Sequence, residues 1–595
     1  MKDKTQQSIS HPSLGYHAFV PWWGMIRFLR LQKYQRGIVR FALATLLLAG
    51  AGQLQCQPRT KANEICPRFA AGSTVSDPEE LRSQNGILRV HLSMRDFVVD
   101  GERRYCYMNA DGSQAPTLRL HPGDLLVLSL KNELSVISPA LLPHPGMKVS
   151  CGSGTMTAAS TNFHFHGLYL PPLCHQDETL STLIQAGDPA FEYQVRIPQS
   201  QPPGLYWYHP HPHGFSEAQV LGGASGALIV EGIERANKLV AGLPERVLVI
   251  RDQKVPASTA IISAEESAFL PEKPSKDLSI NFIPVAYPKY PPAIIQVKPL
   301  ERQLWRVLNA SADTSLDLQL LFGHTAQTLG IVALDGVPVA RTLWQSDIPI
   351  PAGGRAEFIM NGPPENVPAT LVTLGVETTP FVDGEDALPP PGATNANAVP
   401  DDDDNTPPRP LATVVATAAI GNFSKLPLES ASLDPPTPLG KIKAIRQRKL
   451  YFSEKVLDPK HPSTSTIFYI TEEGETPAAY DPAATAPNIT VHQGDVEDWT
   501  IENRSQELHT FHIHQTHFVI LERNGIGVDE PSLRDTISVG FWDGNSPQYP
   551  SVKLRMDFRD PNILGTFPYH CHILQHEDGG MMGTIQVLPA GSSKK

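Results

Sequence analysis

A run of thirteen residues near the end of the chain, HCHILQHEDGGMM, concentrates side chains that bind transition-metal ions. It extends from His570 to Met582 and holds one of the six cysteines, three histidines and two of the ten methionines of the chain. Imidazole, thiolate and thioether groups are ligands of soft and borderline metals such as copper. The run therefore predicts a metal centre.

The chain contains four pairs of histidines in which a single residue separates the two histidines. Two pairs lie near the front of the chain and two near its end. The pairs are His164/His166, His209/His211, His512/His514 and His570/His572. The flanking aromatic and β-branched residues favour strands, in which residues two apart point to the same face. Eight converging imidazoles would exceed the roughly four ligands of tetrahedral zinc and would suit a cluster of three metal ions, although imidazole alone does not select the metal.

The cysteine between the last two histidines predicts a second, separate metal site. If His570 and His572 face the cluster, Cys571 faces the opposite way. Two histidines, one thiolate and a distant thioether define a blue-copper electron-transfer site. The ligands that we predict for this site are His509, Cys571, His576 and Met581, with Met582 as the alternative to Met581.

Other histidines near these motifs are more common as neighbours of ligands or as surface residues than as ligands. We expect this of His175, His213, His324, His492 and His517. A single pair of histidines with this spacing is common in β-proteins. Four such pairs, one of them with a cysteine between its histidines, specifically indicate a metal centre.

The length and composition predict several β-domains and no nucleic-acid partner. A chain of 595 residues exceeds what one hydrophobic core usually supports. The net charge of −12 offers no basic surface for a polyanion. Short β-branched runs bounded by 56 prolines and 44 glycines favour an all-β fold with few helices.

A weak internal repeat predicts three similar domains. The segments are PTLRLHPGDLLVLSLKN, AIIQVKPLERQLWRVLN and PNITVHQGDVEDWTIEN, which end at Asn132, Asn309 and Asn503. In each, an apolar residue precedes an acidic residue by four positions and the asparagine by twelve. Alternation around a turn is typical of two strands of a sandwich. We place the domains at 75–235, 240–430 and 445–590, with a proline-rich, acidic and solvated linker at 381–410 rather than a cation site at Asp401–Asp404.

The first 51 residues resemble a secretory signal. A basic stretch, RLQKYQRGIVR, precedes the apolar run FALATLLLAGA, which ends in Ala49-Gly50-Ala51. This run is shorter than the roughly 20 residues of a membrane span. We therefore expect export to the periplasm or the extracellular space. The sequence does not decide whether translation starts at Met1 or at Met25, or whether Cys56 is lipidated.

Four cysteines in the front part of an exported chain could form two disulfides. They are Cys66, Cys106, Cys151 and Cys174. We favour Cys66 with Cys106 and Cys151 with Cys174, although four cysteines allow three connectivities. Cys571 stands apart and is the cysteine least suited to a disulfide.

The four histidine motifs, in their order and placement, resemble those of three-domain multicopper oxidases, the family of laccases, bilirubin oxidases and bacterial copper-efflux and spore-coat oxidases. The resemblance extends over roughly residues 85–590. It implies three cupredoxin-like Greek-key β-sandwiches, with a trinuclear copper cluster between the first and the third. It also implies four copper ions per chain: one type 1, one type 2 and two type 3.

Carried over residue by residue, the resemblance implies a role for each motif. The type 1 ligands would be His509, Cys571, His576 and axial Met581. The type 2 ligands would be His164 and His512. The type 3 ligands would be His166, His209, His211, His514, His570 and His572. Electrons from an organic or metal donor would pass through Cys571 to its histidine neighbours, and dioxygen would be reduced to water. Glu577 and Asp177 would supply protons, or would only hydrogen-bond to histidines.

Some positions depart from the family pattern. Phe165 replaces a common tryptophan, and Thr510 and Gln515 replace a usual proline and glycine, but none of these residues is a ligand. The chain has no methionine-rich insertion, since Met147 and Met156 are the only nearby pair. This argues against a dedicated copper-detoxifying enzyme.

We therefore predict a laccase-like oxidase of phenols that acts as a monomer without a transmembrane segment. The alternative within enzymes is a metallo-oxidase of cuprous, ferrous or manganous ions. A two-domain nitrite reductase would lack the paired motifs, and a copper store would not need a thiolate joined to a second site. A non-catalytic interaction protein of this fold would have lost ligands that this chain keeps.

Overall fold

The computed structural model describes residues 65–99, 101–135, 151–152, 155–255, 271–380, 405–417, 424–425, 438–458 and 465–591. The predicted signal segment, Cys56, Met147, Asp401–Asp404 and most of the linker 381–410 lie outside these described residues. Among the helices that are described, none is long and apolar enough to cross a membrane.

The front of the described chain forms two facing sheets. Its strands are β1 (Glu80–Arg82), β2 (Ile87–Val99), β3 (Glu102–Asn109), β4 (Thr117–Leu120), β5 (Leu125–Asn132), β6 (Cys151–Gly152), β7 (His164–His166), β8 (Thr182–Leu183), β9 (Phe191–Arg196), β10 (Gly204–His209) and β11 (Gly226–Val230). One sheet has the order β1-β4-β11-β10-β7 and the other β3-β2-β5-β9, while β6 pairs with β8. Helices α1 (Ser216–Leu221) and α2 (Ile233–Ala236) and a 3-10 turn (Lys238–Val240) accompany the last strands. Alternate residues of β2 are buried between the sheets, as the period of two requires.

The middle of the chain forms a second pair of sheets. Its strands are β12 (Pro244–Lys254), β13 (Lys276–Ile280), β14 (Ile283–Val285), β15 (Ala293–Val297), β16 (Arg302–Asn309), β17 (Leu316–Phe322), β18 (Thr325–Ala326), β19 (Leu329–Leu334), β20 (Val337–Gln345), β21 (Ile348–Ile350), β22 (Arg355–Asn361), β23 (Ala369–Thr373), β24 (Arg409–Ala416) and β25 (Ser424–Lys425). One sheet has the order β14-β13-β12-β16-β22-β19-β20, with β25 on β12, and the other β15-β24-β23-β17-β18, with β21 on β17.

The third pair of sheets follows a 3-10 turn (Leu439–Lys441). Its elements are β26 (Arg446–Val456), β27 (Thr466–Glu472), β28 (Ile489–His492), β29 (Val496–Asn503), β30 (His509–Ile513), β31 (Phe518–Arg523), β32 (Ile526–Arg534), β33 (Thr536–Val539), β34 (Ser551–Asp557), a 3-10 turn (Pro561–Ile563), β35 (Gly565–Cys571), α3 (Leu574–Asp578) and β36 (Met582–Leu588). The sheets have the orders β27-β26-β29-β34-β31-β32 and β28-β36-β35-β30-β33. The predicted all-β class with three cupredoxin-like sandwiches is confirmed, while the domain limits stay a prediction.

The repeated segments have one structural role in all three sandwiches. Each forms two strands that belong to opposite sheets: β4 and β5, β15 and β16, and β28 and β29. The repeated asparagine then ties down the following loop. Asn503 donates to the carbonyls of Glu507 and Val539, and Asn132 and Asn309 make corresponding bonds. A buried amide satisfied in this way fixes the chain where it leaves the sheet, and for Asn503 that loop leads to His509.

Both favoured disulfides are present. Cys66 is bonded to Cys106 and Cys151 to Cys174, with sequence separations of 40 and 23 residues. Cys571 is buried outside both disulfides.

Candidate metal centre

Strand pairing places the four histidine motifs on neighbouring strands of two sheets, one in the first sandwich and one in the third. His164 and His166 are the ends of β7, and His164 lies opposite His209 of β10. In the third sandwich, His512 of β30 lies opposite His570 of β35. Directly paired residues of neighbouring strands present their side chains on one face.

The prediction that every pair lies within a strand is wrong for three of the four motifs. His211, His514 and His572 each follow the end of the strand that carries their partner. A proline follows His209, and Gln515, after His514, has a φ of 56°. Both features end regular strands. The second imidazole of these motifs is therefore directed by loop geometry and not by strand alternation.

The eight imidazoles nevertheless meet in one buried cluster. Each of these histidines is at most 2% exposed. His164 stacks on His514 with 3.9 Å between ring centroids, and His166 stacks on His512 at 4.0 Å. The first sandwich thus contacts the third through these rings. The Nε2 atom of His570 lies 3.2 Å from that of His514 and 3.4 Å from that of His211.

The hydrogen bonds of the cluster leave one nitrogen of most rings for a metal. The outer nitrogens of four rings lie near hydrogen-bond partners: Nδ1 of His164 near Asp177, Nδ1 of His209 near the Pro210 carbonyl, Nδ1 of His512 near the Asp535 carbonyl and Nδ1 of His570 near the Cys571 carbonyl. Among the described residues, no partner exists for His164 Nε2, His166 Nδ1, His209 Nε2, His512 Nε2 or either nitrogen of His572. Buried polar atoms without partners are rare unless a metal or water binds them. The donor set therefore fits copper bound by imidazole.

Burial also keeps these rings in the form that binds metal. It lowers the pKa of His209 and His570 to about 3, and that of the other six cluster histidines well below the usual range. Neighbouring imidazoles add to the effect. A metal ligand must be a neutral imidazole.

The second group of ligands lies on the other side of β35. The Sγ atom of Cys571 is 3.7 Å from Nδ1 of His509 and 3.8 Å from Nδ1 of His576, and the two nitrogens are 3.0 Å apart. All three residues are buried. The backbone N–H of Thr510 donates to Sγ at 3.3 Å. His576 belongs to the short helix α3, stacked on Phe468 at 4.2 Å.

The two methionines that follow have different surroundings. Met581 is fully buried and shares the third hydrophobic core with Cys571. Its backbone carbonyl accepts from the N–H of Cys571 at 3.1 Å. Met582 pairs with His570 across the sheet and therefore lies on the cluster side of β35. Met581, and not Met582, therefore lies with Cys571 on the side of β35 where His509 and His576 could hold a metal ion.

The two predicted carboxylates lie against cluster histidines. Asp177 accepts the N–H of Phe165 at 2.9 Å and lies 3.0 Å from Nδ1 of His164. An oxygen of Glu577 lies 3.2 Å from Nδ1 of His570, and the other is 3.6 Å from Nε2 of His211. Burial raises the pKa of both carboxyls well above their usual range.

Of the histidines that we did not expect to bind metal, His517 contacts residues that surround the cluster. Its Nε2 lies 3.2 Å from the Asp335 carbonyl and 3.4 Å from a carboxylate oxygen of Asp535. His213 meets Tyr480 edge to face, and His175 stacks on Phe191 at the surface. His492 lies near Asp495, and His324 is exposed.

Sequence reasoning missed four residues beside the metal centre. They are Gly353, Arg355, Glu507 and Asp535. Gly353 and Arg355 come from the second sandwich, to which no ligand was assigned. No spacing motif marks any of them, because each meets its histidine or its partner only through the tertiary fold.

Comparisons with known proteins match this arrangement. Two family models, both described as multicopper oxidase, match residues 155–235 and 457–591. The iron transport multicopper oxidase FET3 of Gibberella zeae is 24% identical over 74% of this chain and 71% of its own. A laccase of Haloferax volcanii is 24% identical over 74% of this chain and 68% of its own.

A solved structure shares the fold. The multicopper oxidase of Campylobacter jejuni, described as a metallo-oxidase, has a TM-score of 0.59 and 22% identity, over 88% of this chain and 96% of its own. The family models cover both ends of the chain that carry the histidine motifs, where the eight imidazoles and the separate cysteine site are found. The chain therefore carries two domains that match the multicopper oxidase family, and it is an oxidoreductase.

Proposed function

We propose that the chain is a laccase-like oxidase that takes one electron at a time from a phenol at a type 1 copper and reduces dioxygen to water at a trinuclear cluster. Bound copper, one type 1, one type 2 and two type 3 ions, supplies this one-electron and four-electron redox chemistry. We assign the type 1 ion to His509, Cys571, His576 and Met581. We assign the type 2 ion to His164 and His512, and the type 3 ions to His166, His209, His211, His514, His570 and His572.

One observation carries the proposal: a single tripeptide belongs to both ligand groups. The side chains of His570 and His572 belong to the buried cluster, whereas Cys571 between them points to His509 and His576. Covalent bonds therefore join the thiolate to imidazoles of the cluster. An isolated structural metal site has no need of such a link.

The chain's own residues hold the donor atoms in place before any metal arrives. Fixed imidazoles of the right protonation state offer a template for several ions at once. The N–H of Thr510 donates to Sγ of Cys571 and favours its thiolate form. Burial keeps bulk water away from both ligand groups.

Glu577 and Asp177 are the residues that we propose for delivering protons. Each carboxyl group contacts an imidazole of the cluster, Glu577 near His570 and Asp177 near His164. The Oδ2 atom of Asp177 also accepts from Gln515 at 2.5 Å. A carboxyl fixed within hydrogen-bond reach of the reacting centre can pass protons to it.

The phenolic donor is supported by the laccase among the relatives and by the missing methionine-rich insertion. A ferrous, cuprous or manganous donor is the second candidate. It is favoured by Glu507, whose carboxylate lies 3.5 Å from Nε2 of His576, on the side away from Cys571. Glu454 hydrogen-bonds to Glu507. Two carboxyl groups beside His576 offer oxygen atoms, which suit a manganous or ferrous ion better than the soft cuprous ion.

The first test uses the copper-loaded chain beside its Cys571→Ser variant. We expect about four coppers per chain, an intense blue absorption that the variant lacks, and oxygen uptake with a donor. A colourless, copper-poor wild type without uptake would reject the proposal. Rates with a phenol and with ferrous, cuprous and manganous salts then name the donor. A matched Glu507→Gln variant should lose activity with the metal salts and keep it with an uncharged phenol if the carboxylate binds cations.

We also propose that the protein works as an exported monomer in the periplasm or the extracellular space. The two disulfides between front cysteines support this location, because such bonds persist in oxidising compartments. Cell fractionation with an antibody to the chain tests the location, and sedimentation velocity tests the oligomeric state.

A further inference from the structure

Asp535 lies between β32 and β33, against two histidines of the cluster. An oxygen of its carboxylate is 3.4 Å from Nε2 of His166. Its backbone carbonyl lies 2.8 Å from Nδ1 of His512. Asp535 is completely buried, as are both rings, which stack on each other. One residue therefore contacts two proposed ligands of different copper types.

These contacts select which nitrogen of each ring is left for metal. The carboxylate accepts a hydrogen bond from the Nε2–H group of His166 and leaves Nδ1 as the lone-pair atom, and Nδ1 has no partner among the described residues. The carbonyl acts in the same way on His512 and leaves Nε2. His166 and His512 each belong to a buried group of three histidines that could hold a metal ion, so Asp535 sets the tautomer and the orientation of rings in both groups.

Arg355, the first residue of β22, fixes Asp535 from the second sandwich. Its Nη1 and Nη2 atoms donate to the two carboxylate oxygens at 2.7 and 2.6 Å. Its Nε atom also lies 3.3 Å from the carbonyl of Leu205 in the first sandwich. A forked guanidinium pair holds a carboxylate in one plane, which a lysine cannot do. Arg355 thus connects all three sandwiches at the cluster.

The surrounding chain is built around this pair. A Cβ atom at Gly167, the residue after His166, would lie 2.5 Å from Nη2 of Arg355 and 2.7 Å from Oδ2 of Asp535. The hydroxyl of Thr536 donates to Oδ1 of Asp535 at 2.8 Å. The carboxylate therefore has no room to turn away from His166.

We infer that Asp535, held by Arg355, is a positioning residue that orients one type 3 ligand and one type 2 ligand of the trinuclear cluster at the same time. This inference rests on the proposed function, because it assumes that the cluster binds copper. It also gives the second sandwich, which carries no proposed ligand, a direct part in the metal centre.

The test measures copper at the cluster separately from copper at the blue site. We expect Asp535→Asn to keep the blue absorption and to change or lose the paramagnetic signal of type 2 copper. Cluster copper should also be removed by a chelator at about 10- to 100-fold lower chelator concentration, the usual cost of losing a residue that orients a ligand. Arg355→Lys should change the type 2 signal in the same direction by less, and it serves as the second variant if Asp535→Asn does not fold.

Glu245→Gln is the matched control. Glu245 is a buried carboxylate held by Arg119 and Arg306, and its described bonds include no histidine. We expect this variant to lower the melting temperature while the type 2 signal and the chelator profile stay as in the wild type. The inference is overturned if Asp535→Asn and Arg355→Lys behave like Glu245→Gln, with lost stability and an unchanged type 2 signal. A wild type without any copper signal would instead reject the proposed function.

Discussion

The imidazole ring of His572 packs directly against the backbone of Gly353. A Cβ atom at Gly353 would lie 2.6 Å from Cε1, 2.7 Å from Nε2 and 2.8 Å from Nδ1 of that ring. The φ angle of Gly353 is 78°, in the region that favours glycine. A residue of the second sandwich thus limits the position of a proposed type 3 ligand.

Gly353→Ala should displace His572 and disturb the type 3 pair. The added methyl group cannot fit against a ring that its own neighbours hold, so copper should be lost from the cluster while the blue absorption remains. We expect oxygen uptake to fall at least about tenfold, as for other losses of ligand orientation. Copper analysis and visible absorption of the purified variant measure both effects.

Gly323→Ala separates this contact from backbone strain. Gly323 also has a positive φ, 60°, but a Cβ atom there meets nothing within 4 Å. The Gly323→Ala variant should therefore be less stable than the wild type but should keep its copper. Equal copper loss in both variants would show that strain, and not contact with His572, causes the effect.

Met581→Leu should raise the reduction potential of the blue site, whereas Met582→Leu should leave it unchanged. Met581 lies in the same core as Cys571, whereas Met582 pairs with His570 on the other side of the strand. Loss of a thioether that stabilises the oxidised ion raises the potential. We expect about 59 mV or more, which corresponds to a tenfold change in the equilibrium constant for one electron. A redox titration of the blue band measures it, and the opposite ranking would assign the axial role to Met582.

Glu577→Gln should slow the oxygen step without slowing reduction of the blue site. Its carboxyl contacts His570 and His211 of the cluster, and an amide cannot deliver a proton. A fall of about 10²- to 10⁴-fold in kcat is expected for loss of a positioned acid. In a stopped-flow experiment without oxygen, the donor should reduce the blue site of Glu577→Gln as fast as that of the wild type. The control is Glu234→Gln, which changes a buried carboxylate of α2. Both steps should run at the wild-type rate in this variant. If the donor reduced the blue site more slowly in Glu577→Gln, the residue would act in the entry of electrons and not in the oxygen step.

Removal of the Cys66–Cys106 disulfide should lower stability but not activity. The bond joins residues 40 apart in sequence, and chain entropy predicts a loss of about 4 kcal/mol in the free energy of unfolding. A Cys66→Ser/Cys106→Ser variant should therefore unfold at lower denaturant concentration with its blue band intact. Loss of copper under native conditions would show that this bond also shapes the metal centre.

The sequence predicts those parts of the fold and site that depend on local spacing. The side-chain oxygen of each repeated asparagine, Asn132, Asn309 and Asn503, accepts the backbone N–H two residues further on, and this fixed short-range contact leaves a fixed spacing. The position of Cys571 between two cluster histidines is local for the same reason. In both cases, one short segment carries the whole geometry.

Contacts between distant segments could not be predicted. Arg355 and Asp535 are 180 residues apart, and Gly353 meets His572 only because three sandwiches pack around the cluster. His211 and His514 lie beyond the ends of their strands because of single residues, Pro210 and Gln515. The periodicity of apolar residues, on which strand prediction rests, takes no account of such single residues.

The stoichiometry of oxygen consumption tests the central claim, that electrons entering beside Cys571 reduce dioxygen at the histidine cluster. An oxygen electrode should record one dioxygen consumed for every four molecules of a one-electron donor, since four electrons reduce dioxygen to two waters. Added catalase should release no oxygen. One dioxygen for every two donors, with oxygen returned by catalase, would mean that peroxide is the product and would contradict a trinuclear centre in this chain.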